Sequence, residues 1–147
     1  VFQQTGKTIS QHNRETRALP LRYDALTLSL AFQRREDMWA RIDRRVDEMM
    51  AAGLAEEVRA LLDSGVPVRC TAMQAIGYKE MAAALRGGGD VCAVAEEIKL
   101  RSRQYAKRQL TWFRHTEGAK WLFWGPEPDF EAACRTSTKY LEEFGLV

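Results

Sequence analysis

Cysteine and histidine are scarce, and their scarcity removes several function classes at once. Cys70, Cys92 and Cys134 form an odd set with no C-x-x-C spacing, and His12 and His115 are not placed to complete a ligand pattern with them. Neither a disulfide framework nor a protein-built metal cage follows from such a set, so the chain is expected in a reducing compartment with no metal held by protein ligands. No apolar run approaches the roughly 18 residues of a membrane span, and Val1-Phe2-Gln3-Gln4 does not read as a secretory leader. A cytoplasmic location without a membrane partner is the expectation. There is no initiator methionine and no opening turn or cap, which suggests that the chain begins inside something longer. A formal net charge of +2 is too small to argue for nucleic acid by itself, so any such argument must rest on where the charge lies.

What is present is ordinary for one globular domain: 147 residues, 46% hydrophobic and 29% charged. The most informative stretch is DVCAVAEEIKLRSRQYAKRQLTWFR, residues 90–114, which reads as one long helix capped by Asp90. At 100° per residue Val91, Val94, Ala95, Ile98, Tyr105, Ala106, Trp112 and Phe113 share a broad apolar stripe, while Lys99, Arg103, Lys107 and Arg114 gather on another side. From Ile98 to Thr116 there are six Lys or Arg residues and no Asp or Glu, a local positive field that is either a solvated face or a surface for anions. Gln104 and Gln109 add hydrogen-bonding groups beside the cations, as polynucleotide contacts often require.

The remaining elements follow from periodicity and punctuation. Residues 1–19 read as the tail of a helix, a turn at Thr5-Gly6-Lys7 and a polar segment, Thr8 to Arg17, that is either a short helix or a loop. After Pro20, Asp24, Leu26, Leu28 and Leu30 alternate with Ala25, Thr27, Ser29 and Ala31, a period-2 pattern for a strand. Met38, Ile42, Val46, Met49 and Met50 predict a helix ended by Gly53, and Leu54, Val58, Leu61 and Leu62 a second one ended by Gly65, together a helical hairpin. VPVRCTAMQAIGY, residues 66–78, predicts a loop entering a short helix over 79–85, closed by Gly87-Gly88-Gly89. Lys120 to Trp124 is a second strand candidate and Pro128 to Phe144 a closing helix.

Three groups of residues leave a choice between fold and function. Arg41, Arg44 and Arg45, interleaved with Asp43 and Asp47, are either surface ion pairs or a guanidinium site for a phosphorylated ligand. Trp112 and Phe113 are expected in the core rather than stacked on bases. Gly77, beside Tyr78, could allow close approach of backbone to a ligand.

RIDRRVDEMMAAGLAEEVRALL at 41–62, AMQAIGYKEM at 72–81 and SRQYAKRQLTWFR at 102–114 together resemble the carboxyl-terminal half of bacterial tRNA dimethylallyltransferases, also called tRNA isopentenyltransferases. The likeness runs from about residue 5 to about residue 124 with the motifs in order; Ser102 departs slightly, where the family usually has Thr. The family's phosphate loop and general base lie upstream, and no G-x-x-x-x-G-K-[ST] occurs in this chain.

The resemblance implies an α/β fold, mostly helical as a fragment, belonging to a phosphate-loop core of the nucleoside triphosphate hydrolase type. Residues 1–19 would end a helical insertion domain, and residues 20–147 would be the carboxyl-terminal part of the catalytic core, its strands pairing with others upstream. It implies transfer of a dimethylallyl group from dimethylallyl diphosphate to the exocyclic amine of the adenosine 3′ of the anticodon, with Mg²⁺ held mainly by the upstream half and the diphosphate. Arg45 matches the arginine implicated at the diphosphate. Gln74, Ala75, Ile76, Gly77, Tyr78 and Lys79 match one tRNA-binding segment, and Arg103, Gln104, Lys107, Arg108 and Gln109 match another. The implied partners are a tRNA anticodon stem-loop and dimethylallyl diphosphate, acting on a monomeric enzyme of which this chain alone is inactive. A non-catalytic helical RNA-binding module and a protein-interaction domain are the alternatives; in either, Arg45 is only a surface residue.

Overall fold

Capping side chains and left-handed glycines divide the chain into helices and two short strands. The computed structural model describes residues 1–20 and 22–146. In order they form α1 (Phe2–Thr5), α2 (Ile9–Arg17), β1 (Leu28–Phe32), α3 (Arg35–Ala51), α4 (Leu54–Asp63), a 3-10 turn (Ala72–Gln74), α5 (Tyr78–Gly87), α6 (Val91–Arg114), β2 (Lys120–Trp124) and α7 (Phe130–Phe144). The fold is thus α/β and mostly helical. Thr8, Asp90 and Asp129 cap α2, α6 and α7 by accepting from backbone N–H groups that a helix start leaves free. Gly53, at φ +95°, makes the sharp turn of the α3–α4 hairpin.

The core lies where α3, α4, α5 and the first half of α6 meet. Val46 of α3, Leu54, Ala55 and Val58 of α4, Met73, Met81 and Ala82, and Val94 and Ile98 of α6 form one buried cluster. Val58, Met73, Met81 and Ile98 are essentially sealed from solvent, and each such side chain contributes about 1.5–3 kcal/mol of burial free energy. By contrast α1 and α2 bury no residue.

One expectation needs correction. Trp112 is 69% exposed and Tyr105 49%, while Phe113 is half-buried with its ring edge-on to Trp112 at 5.2 Å. Helical periodicity identifies the apolar face correctly, but α6 has 24 residues and is about 36 Å long at 1.5 Å per residue, so its second half runs past the bundle. Only Val94 and Ile98 of α6 are fully buried. The two strands pair with each other, parallel, with Leu28 opposite Lys120 and Phe32 opposite Trp124, and each keeps a second edge for the upstream strands that the resemblance implies. The strand begins at Leu28 rather than Asp24 because β2 offers only five residues to pair with. The alternation along β1 places Ser29 inward, at 3% exposed, and Leu30 outward, at 54%. Phe123 on β2 is 58% exposed, so this two-stranded parallel sheet shows apolar side chains to solvent where parallel sheets are usually covered. No helix among the described residues is long and apolar enough to cross a membrane.

Candidate functional site

Three segments far apart in sequence converge on one cleft of about 740 Å³. α3 contributes Arg45 together with Ile42 and Met49, which fall on its core-facing side at i, i+3 and i+7. The loop before α5 contributes Gln74, Ala75 and Ile76, and α6 contributes Ser102, Tyr105, Arg108 and Gln109. On sequence grounds Arg45 and the basic helix are separate features; the fold places both on one continuous surface. The apolar floor of Met49, Ile76 and Ile98 and the polar rim of arginines and glutamines suit a ligand with an apolar part and an anionic part.

The loop is held by its own hydrogen bonds. Gln74 Nε2 donates to the Val68 carbonyl at 2.8 Å, closing the segment between Pro67 and the 3-10 turn. Gly77 has φ +103°, is buried, and its N–H donates to Glu80 Oε2 at 2.8 Å, which starts α5. A Cβ at Gly77 would meet Met49 Cε at 3.5 Å and Leu54 Cδ2 at 3.8 Å. The glycine is therefore required by backbone conformation, and its Cα side faces the α3–α4 hairpin. Tyr78 Oη donates to Glu57 Oε1 at 2.5 Å, and that bond to a carboxylate raises the phenol above the ordinary tyrosine range. Gln74, Ala75 and Ile76 thus face the cleft, Gly77 and Tyr78 anchor the loop, and Lys79 is exposed on α5.

The charges of α6 divide into two sets. Lys99 Nζ lies 2.7 Å from Asp47 Oδ1 and 2.9 Å from Glu96 Oε1, and Arg103 Nη1 donates to both Asp43 oxygens at 2.6 and 2.8 Å. The bonds to Asp47 and Asp43 are α3–α6 cross-links on paired i, i+4 positions of two antiparallel helices. Hydrogen bonds to Asp47 and then Glu96 raise the Lys99 ammonium above the ordinary lysine value. Lys107, Arg108 and Arg114 have no carboxylate within ion-pair distance among the described residues, and the same holds for Arg41 and Arg45. Arg44, in contrast, reaches Glu127 at 4.0 Å. The Arg108 guanidinium lies 5.9 Å from the Tyr105 ring centre. On the outer flank Gln104, Lys107, Trp112 and His115 border a shallow groove.

Sequence reasoning did not single out Tyr105 or Met49, which it read as parts of apolar helix faces, and it noted Ser102 only as a departure from the family Thr; all three line the cleft. It also did not find the partners of Lys99 and Arg103, although the matched four-residue spacings of Asp43 with Asp47 and Lys99 with Arg103 carried that signal.

A family model described as IPP transferase matches residues 1–116. The chain is 48% identical over 122 residues to tRNA dimethylallyltransferase 1 of Trichlorobacter lovleyi, covering 83% of this chain and 40% of that protein. It is 40% identical over 148 residues to a tRNA dimethylallyltransferase of Syntrophomonas wolfei, covering 100% of this chain and 46% of the relative. The fold matches a full-length tRNA isopentenylpyrophosphate transferase from Bacillus halodurans with a TM-score of 0.77 at 30% identity, over 95% of this chain and 47% of the other. The chain therefore spans less than half the length of these relatives. With a family model that reaches across the Arg45 helix, the loop and the basic helix, this chain belongs to the IPP transferase family.

Proposed function

We propose that this chain is the carboxyl-terminal part of a cytoplasmic tRNA-modifying prenyltransferase that uses dimethylallyl diphosphate and the adenosine 3′ of the anticodon. The observation that carries it is the convergence of Arg45, Gln74, Arg108 and Gln109 from three segments on one cleft. In this reading the adenine amine attacks the allylic carbon, the carbon–oxygen bond to diphosphate breaks, and the amine proton passes to a base upstream. Negative charge grows on the departing diphosphate, so a preorganised guanidinium at Arg45, free of any carboxylate among the described residues, stabilises that step. The adenine must leave its stack to reach the allylic carbon, which a single-stranded loop permits at modest cost. Gln74, Ala75 and Ile76 on one side and Arg108 and Gln109 on the other would line its path, with Gln104, Lys107 and Lys79 along the RNA backbone.

In the same reading Mg²⁺ belongs to the diphosphate and the upstream half. Among the described residues no group of three His, Cys, Asp or Glu side chains stands close enough to hold a metal. Residues 1–19 end the helical insertion and residues 20–147 belong to a phosphate-loop core. The uncovered Leu30 and Phe123 of the two-stranded sheet support that division, since further strands and helices would bury them.

Arg45 provides the test. In the complete enzyme Arg45→Lys and Arg45→Ala are expected to lower kcat roughly 10²-fold, the scale of losing one transition-state donor. Arg44→Ala serves as the neighbouring control and keeps the parental rate. An Arg45→Ala enzyme turning over at the parental rate would remove Arg45 from the diphosphate site and place the chemistry elsewhere.

A further inference from the structure

We infer that Arg103 is a positioning residue for Arg45 and not a phosphate contact, although it lies inside the basic segment assigned above to tRNA. The inference rests on the diphosphate reading of the cleft. One guanidinium nitrogen of Arg103 bonds both oxygens of Asp43, and the two side chains are only 25% and 35% exposed. Asp43 stands two residues before Arg45 on α3, and one turn further on Asp47 takes Lys99. Each aspartate is two residues from Arg45 and so lies about 160° round α3 from it, one on either side. The ladder therefore closes one edge of the α3–α6 contact, and the cleft with Arg45, Arg108 and Gln109 opens along the other. A phosphate that took the Nη1 of Arg103 would displace a charge-assisted carboxylate and leave Asp43 unpaired and partly buried, which is strongly unfavourable, and the Asp43 charge beside it opposes an anion at the remaining donors. Lys107 and Arg108 are free of that competition and meet phosphate without breaking anything. The ladder fixes the spacing and rotation of α3 against α6, and so the position of the Arg45 guanidinium; displacing a reacting-site group by about 1 Å costs on the order of 10²-fold in rate.

The complete enzyme tests this with Arg103→Gln, Asp43→Asn, the double variant and the charge-swapped pair Asp43→Arg with Arg103→Asp. Each single variant is expected to lower kcat roughly tenfold or more, with the salt slope of anticodon stem-loop binding unchanged, because the number of counterions released stays the same. The double variant is expected to be no slower than either single one, since both remove the same link. The swap restores part of kcat, which a loss of general stability would not explain. Melting temperatures accompany each rate, and Arg103→Met, which removes the charge and keeps an unbranched side chain of similar length, replaces Arg103→Gln if the latter does not fold. An Arg103→Gln salt slope flatter by about one, with Asp43→Asn at the parental kcat, would overturn the inference and return Arg103 to the RNA. The slope and the melting-temperature coupling need no turnover. If the enzyme transfers no prenyl group at all, they still decide the role of Arg103 while the proposed function fails on its own.

Discussion

Lys99 of α6 and Asp47 of α3 meet at 2.7 Å, with the lysine side chain only 12% exposed, so the two helices are joined by a bond whose strength depends on one proton. The bond to Asp47, aided by Glu96, holds the ammonium above its ordinary value. A group whose folded pKa exceeds its unfolded one contributes stability that is complete below the unfolded pKa, near 10.4, and is lost as pH rises through the folded value. The chain is therefore expected to lose melting temperature above about pH 10 in excess of a Lys99→Met variant. Parallel melts of the two proteins across that range check it, and a constant difference between them would remove Lys99 from the account.

The unpaired cations of α6 make a separate prediction. Lys107→Ala with Arg108→Ala in the complete enzyme is expected to weaken anticodon stem-loop binding and to flatten its salt slope by about one to two, at roughly 0.7–0.9 for each phosphate no longer neutralised. Fluorescence titrations at several salt concentrations measure both quantities. An unchanged slope would place the RNA elsewhere.

Gly77 is expected to behave as a folding residue. Its φ of +103° disfavours any side chain, so Gly77→Ala is expected to destabilise the chain by about 1–3 kcal/mol although the space near Met49 and Leu54 admits a methyl group. Chemical denaturation gives the value. A stable Gly77→Ala protein that binds diphosphate but not tRNA would instead put the glycine against the RNA.

How much of this was legible beforehand differs by element. The α3–α4 hairpin and α6 were, because Gly53 and Asp90 carry local stop and start signals that need no tertiary partner, whereas the segment after Thr8 was open between helix and loop. Trp112 and Tyr105 were not: periodicity reports which side of α6 is apolar, but how far along the helix the core extends depends on the lengths of α3 and α5. Arg103 looked free because Asp43 is sixty residues away in sequence, and only the antiparallel crossing brings them together. The motif resemblance pointed to residues at the cleft, yet within it Gly77 and Tyr78 proved to be the loop's own anchors, held by Glu80 and Glu57.

The pairing of β1 with β2 also sets the order in which the chain can fold as it is synthesised. Everything that stabilises the α3–α6 bundle lies between the two strands, and its packing joins neighbouring helices. Leu28–Phe32 leaves the ribosome long before Lys120–Trp124, the strand it pairs with. The bundle can close while β1 still lacks β2, and an edge left open in that interval invites adhesion to other chains. Closing the β1–β2 pair is then the long-range step, since it waits until the residues after α6 have been made.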